Sequence, residues 1–110
     1  REDFPGQAAA KGKRLLSGLR TALDDHPHVG DIRGLGLMCG VEYVKDKATK
    51  AVFDAAEGIG AKVNAVTMER GLFSRARGDV YCIAPPIVTE EATLDQIVEI
   101  LTDATKAVLG

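Results

Sequence analysis

The sequence contains no run of about 18 apolar residues, so it holds no helix able to cross a bilayer, and a membrane is not an expected partner. Basic charge is not in excess: 14 Lys+Arg stand against 16 Asp+Glu, a net charge of -2. Such a balance gives no pull towards phosphate backbones, so nucleic acid is not an expected partner. Cysteine is scarce. Cys39 and Cys82 lie far apart in apolar, strand-like runs, with no CxxC partner and no histidine nearby, so metal-ligand spacing is absent. Both read as buried free thiols, and a disulfide is open only if their strands are neighbours. Arg1-Glu2-Asp3-Phe4-Pro5 is no secretory signal, and without one a reducing cytoplasm is expected. There is no GxSxG nucleophile motif, and His26 and His28 have no evident third ligand, so no metal site is expected. Internal repeats and low-complexity segments are also missing.

What is present is an ordinary globular composition, 45% hydrophobic and 27% charged over 110 residues, enough for one domain and one core. The first residue is not Met, and helix-like sequence follows within a few positions, so the chain reads as a piece of a longer protein. Leu15, Leu16, Leu19, Ala22 and Leu23 recur at three- and four-residue spacing, predicting a helix from Gln7 to about Asp25 that stops before Pro27. Val29–Ile32 is short and extended, and Leu37–Val44 is a longer strand. A second helix is expected from about Asp54 to Arg70, with Ala55, Ile59, Val63 and Val66 as its stripe and Gly71 as its cap. Leu72–Ser74 and Val80–Ala84 read as strands, and the stretch Arg75–Asp79 between them contains the turn residues Gly78 and Asp79. Thr89 is the expected N-cap of a last helix whose apolar stripe is Leu94, Ile97, Val98, Leu101, Ala104 and Val108.

The order α-β-β-α-β-β-α, with short strand connections, predicts an α+β domain: a small, mostly antiparallel sheet with helices on one face. Gly34, Gly36 and Gly40 loosely resemble a dinucleotide-binding loop, but they lead into strand-like Val41–Val44 instead of a helix that could hold a pyrophosphate. Lys45, Lys47 and Lys50 read as a solvated run. Arg75 and Arg77 sit between two short strands, just before Ala84-Pro85-Pro86, where a guanidinium could grip a carboxylate with two parallel hydrogen bonds, but on residue type and position alone both read as surface arginines.

Several segments, in order, resemble the C-terminal domain of class III pyridoxal-phosphate aminotransferases. They are Val29-Gly30-Asp31-Ile32-Arg33-Gly34-Leu35-Gly36-Leu37-Met38, Val41-Glu42, Gly71-Leu72 through Arg75-Ala76-x-Gly78-Asp79, and Ala84-Pro85-Pro86-Ile87-Val88-Thr89. The preceding Leu15-Leu16-Ser17-Gly18-Leu19 also fits, and the resemblance runs from about Ala8 to Leu109. It implies that residues 1–110 form the C-terminal small domain of a fold-type I enzyme whose large, cofactor-binding domain lies elsewhere. The Arg-Ala-x-Gly-Asp stretch is similar to that of omega-amino acid–pyruvate and amine transaminases, in which this arginine binds the substrate carboxylate. The matching residue is Arg75; Arg77 falls at a variable position. Ornithine-type members carry an arginine two places before the Ala of Ala-Pro-Pro, where this chain has Cys82. Arg33 is expected to hold backbone structure.

The resemblance further implies a parent that uses pyridoxal 5'-phosphate, moves an amino group from an omega-amino acid or amine to pyruvate, and forms a homodimer or higher homo-oligomer. No lysine here has a recognisable Schiff-base setting, so this chain is expected to bind no cofactor, to carry no catalytic residue and to be inactive alone. The rival reading is a free-standing α+β ligand-binding or regulatory module. The second face of the sheet separates the two readings: polar or covered in a free module, and a bare apolar patch in a piece of a larger body.

Overall fold

The computed structural model describes residues 4–35, 37–72, 74–86 and 89–110. Leu15, Leu19 and Leu23 recur every fourth residue and are fully buried along one side of helix α1 (Phe4–Leu23). Ala22, expected on that stripe, is exposed, because it falls outside the four-residue row. The helix ends at Leu23, and Lys47 from a later loop donates to the carbonyls of Asp24 and His26, placing a cation at the negative helix end. Lys47 makes these bonds while staying exposed, as Lys45 and Lys50 are, in keeping with the expected solvated run.

Strand β1 (Val29–Leu35) pairs antiparallel with β2 (Met38–Tyr43). The first strand therefore continues through Arg33 and Gly34, beyond the expected Ile32. A strand follows the glycines, so the nucleotide-loop reading is excluded. The expected second helix is broken in two. A short 3-10 turn (Ala55–Glu57) is closed by a capping box in which the Asp54 and Glu57 side chains bond each other's backbone ends. Gly58, at φ +54, then redirects the chain into α2 (Ile59–Glu69). Ala55 is consequently exposed, whereas Ile59 and Val63 are buried and Val66 is half-buried. Gly71 follows the helix as expected: its N–H bonds the Met68 carbonyl at 3.0 Å, and the Leu72 N–H bonds that of Thr67 at 2.9 Å.

The third strand lies three residues later than expected. Strand β3 is Arg75–Arg77 and the turn is Gly78-Asp79 alone, because a two-residue loop lets all three residues pair with β4 (Val80–Ile83). Of the expected strand Leu72–Ser74, Phe73 lies outside the described residues, as do Gly36, Ile87 and Val88. Helix α3 (Glu91–Leu109) has Glu90 as its N-cap, not Thr89, whose own N–H turns back to the Pro86 carbonyl at 3.0 Å. Its stripe is as expected: Leu94, Ile97, Leu101 and Ala104 are buried, and Val98 and Val108 pack against the core from its edge.

The sheet order is β1-β2-β4-β3, antiparallel throughout. Ile32, Val41, Tyr81 and Ala76 stand opposite one another across its strands, and so do Cys39 and Ile83; these rows face the three helices. The fold is the expected α+β arrangement. Cys39 and Cys82 lie on neighbouring strands, yet Cys39 is opposite Ile83 and Cys82 is opposite Gly40, so the two thiols point to opposite faces and remain free; Cys39 is buried as expected, but Cys82, on the face without helices, is only half-buried.

Two buried hydroxyl pairs tie sheet to helices: Tyr43 to Thr105 at 2.7 Å and Tyr81 to Thr67 at 2.8 Å. Each threonine hydroxyl also donates to a helix carbonyl, Thr105 to Leu101 at 2.8 Å and Thr67 to Asn64 at 2.9 Å. Their single protons are therefore used, and each tyrosine must be the donor. Burial pushes the Tyr43 phenol well above its ordinary range. Thr105→Val, which strands the Tyr43 hydroxyl, should cost about 1–3 kcal/mol, and Tyr43→Phe only about 1 kcal/mol. The double variant should be no less stable than Thr105→Val alone, as read from denaturant unfolding midpoints.

Candidate functional site

Alternation along the strands leaves the other face of the sheet free of helices. The residues there form two rows: Arg33, Gly40, Cys82 and Arg75, then Asp31, Glu42, Val80 and Arg77. Met38, 64% exposed, lies at one end of this face. The face is mixed in character. Charged groups surround Val80, Cys82 and Met38, so it is not the continuous apolar patch that a covered surface was expected to show. Arg33 is neutralised in place by side chains, 3.1 Å from Asp31 and 3.8 Å from Glu42, and not by the backbone groups it was expected to hold.

Arg75 is exposed on edge strand β3, pointing to the helix-free side. Among the described residues its guanidinium makes no hydrogen bond or ion pair, and the same holds for that of Arg77. Both arginines line an open groove of ≈ 390 Å³ with Met38, Ser74, Cys82 and Ala84. Arg75, expected between two short strands, is itself the first residue of a strand, which holds its side chain to one face, and the expected turn residues Gly78 and Asp79 form the turn.

What fixes that strand is the turn beyond it. Gly78 takes φ +57, which suits a two-residue hairpin loop. The Asp79 carbonyl accepts the Tyr43 N–H at 2.9 Å, and its carboxylate accepts the Gly60 N–H at 3.3 Å. Gly58, the N-cap of α2, offers no side chain, so Asp79 supplies the missing acceptor and a negative charge at the positive helix end. None of this was legible in the sequence, because the partners are far apart along the chain. The Asp54–Glu57 capping box carried a readable signal, an acidic residue at each end of a four-residue stretch.

The remaining candidates do not assemble into chemistry. Among the described residues, no three His, Cys, Asp or Glu side chains come together as metal ligands. The His26 Nδ1 accepts the His28 N–H at 3.1 Å, its Nε2 is buried without a hydrogen-bond partner among the described residues, and the His28 ring bonds the Val44 carbonyl at 3.0 Å. Burial, helped by the neighbouring His28, lowers the pKa of His26. A pyridoxal cofactor requires a lysine held in a protected site. No lysine of this chain is buried, and the buried tyrosine hydroxyls are committed to threonines.

Comparison with known proteins agrees with this architecture. The Aminotransferase class-III family matches residues 1–105. An uncharacterized aminotransferase of Sinorhizobium fredii is 37% identical over 99% of this chain and 24% of its own length. Diaminobutyrate–2-oxoglutarate transaminase of Halomonas elongata is 36% identical over 89% of this chain and 21% of its own. The solved (S)-enantioselective omega-transaminase of Thermomicrobium roseum superposes with a TM-score of 0.89 at 39% identity, over 94% of this chain and 23% of that one. The chain thus spans about a quarter of the length of the relatives it matches. Family, sequence and fold agree across almost every residue, and the chain belongs to the class-III aminotransferases.

Proposed function

We propose that the chain is the C-terminal small domain of a longer, pyridoxal-phosphate-dependent transaminase that assembles as a homodimer or higher homo-oligomer. The parent moves an amino group from an omega-amino acid or amine to pyruvate, and Arg75 receives the substrate carboxylate. The observation that carries this reading is an exposed guanidinium without a partner among the described residues, on the helix-free face of the sheet and beside an open groove. An arginine stays charged at any working pH and offers a planar fork that matches a carboxylate. Holding that carboxylate orients the amino carbon, which is a positioning role. The lysine and the phosphate-binding groups are assigned to polypeptide outside this chain. Cys82, where ornithine-type members carry arginine, supports the pyruvate branch.

The test is an activity screen of the full-length parent loaded with pyridoxal phosphate. Alanine should form from pyruvate when an omega-amino acid such as β-alanine, or an amine such as 1-phenylethylamine, is supplied. Absence of alanine with every such donor would refute the assignment.

A further inference from the structure

Of the six arginines among the described residues, four have partners. Arg14 bonds Asp95 at 2.8 Å, Arg20 donates to the Ile32 carbonyl at 3.1 Å, Arg33 meets Asp31 at 3.1 Å, and Arg70 meets Asp103 at 3.1 Å. The two without one among the described residues, Arg75 and Arg77, are two positions apart on the same strand. Register places Arg75 opposite Cys82 and Arg77 opposite Val80, so both side chains rise from the helix-free face into the same groove of ≈ 390 Å³. Residues two apart on a strand lie about 7 Å apart on one face. On that face Asp31 and Glu42 are already engaged by Arg33, and no described carboxylate forms an ion pair with Arg75 or Arg77.

We propose that Arg75 and Arg77 form a two-guanidinium subsite for dianionic substrates, specifically dicarboxylic 2-oxo acids and their amino acids. The inference rests on the reading that Arg75 receives a substrate carboxylate, and adds Arg77 as the residue that determines whether a second one is accepted. A monocarboxylate satisfies one fork and leaves the other cation unmet. Two like charges held side by side repel, and a ligand with two separated negative charges relieves both. The separation suits two distinct carboxylates, as in a four- or five-carbon dicarboxylate, each accepting a charge-assisted pair of hydrogen bonds.

The experiment uses the cofactor-loaded, full-length parent, with 2-oxoglutarate and pyruvate as alternative acceptors and succinate and propionate as non-reacting competitors. Arg77→Gln should lower kcat/KM for 2-oxoglutarate about 10-fold or more relative to pyruvate, the loss of a charge-assisted hydrogen bond. It should also raise the inhibition constant of succinate more than that of propionate. Arg77→Lys, which keeps the charge but not the fork, should fall between. Arg33→Gln, whose guanidinium is already neutralised, should leave the ratio of the two acceptors unchanged. An unchanged ratio in Arg77→Gln overturns the subsite, and so does an equal loss for both acceptors, as when Arg77 meets a carboxylate elsewhere in the parent. A wild-type enzyme that neither uses 2-oxoglutarate nor is inhibited by succinate overturns it too. If Arg75→Ala still impairs carboxylate substrates in any of these cases, the proposed function stands and the subsite alone has failed.

Discussion

Replacing Gly60 with alanine should destabilise the protein by about 1–3 kcal/mol, the cost of forcing an extra methyl into packed structure. Within a helix the same change ordinarily stabilises by about 1 kcal/mol, so the sign is informative. A Cβ at position 60 would lie 2.0 Å from the Gly78 carbonyl oxygen, 3.1 Å from its carbon and 3.3 Å from the Asp79 Cα. All three are backbone atoms, so no side-chain rotation relieves the clash; helix α2 and the β3–β4 hairpin must separate. That separation would strain the Asp79 bonds to Gly60 and Tyr43, the two contacts that seat the hairpin under Arg75 and Arg77. Gly58 provides the control. It sits at φ +54 with nothing within 4 Å of an added Cβ, so Gly58→Asn, which tolerates that backbone region, should change stability by only a few tenths of a kcal/mol. Denaturant unfolding of both variants decides the matter, and a Gly60→Ala protein as stable as wild type would show that the hairpin is not packed as described.

The contrast between these two glycines shows which parts of the fold the sequence carries openly. Element order, the α3 stripe and the antiparallel sheet were readable, because buried apolar residues at helical or alternating spacing reflect forces acting within each element. Gly58 and Gly60 both fall inside the single helix expected over Asp54–Arg70. In the structure one ends a 3-10 turn, and the other lets a distant hairpin touch the helix; only tertiary contact distinguishes them. The site follows the same pattern. Arg75 was singled out through resemblance, since an exposed arginine between strands has no signature of its own. That Arg77 shares its face depends on a strand beginning at Arg75 instead of ending at Ser74, a boundary set by pairing with Val80–Cys82. Thr89 shows the limit of a propensity argument: it is a good capping residue, but its backbone is drawn towards Pro86 and the helix starts after Glu90.

Loss of the Arg75 guanidinium should have the largest functional effect. A charge-assisted hydrogen bond is worth about 1.5–3 kcal/mol, so Arg75→Ala should reduce kcat/KM for carboxylate-bearing substrates roughly ten- to a hundredfold. Simple amines present no carboxylate to that position and should lose far less. Arg75→Lys should recover only part of the loss, because a point charge replaces a two-pronged donor. Since Arg75 is exposed and unpaired among the described residues, its removal should leave the unfolding midpoint close to wild type, which separates a binding role from a structural one.

The most direct measurement is therefore a single-turnover comparison on the cofactor-loaded parent, wild type against Arg75→Ala, with alanine and with 1-phenylethylamine as the amino donor. Selective loss with alanine, and near-normal reaction with the amine, is the expected result. Equal loss with both donors, or no loss with alanine, would contradict the assignment of Arg75 to the substrate carboxylate.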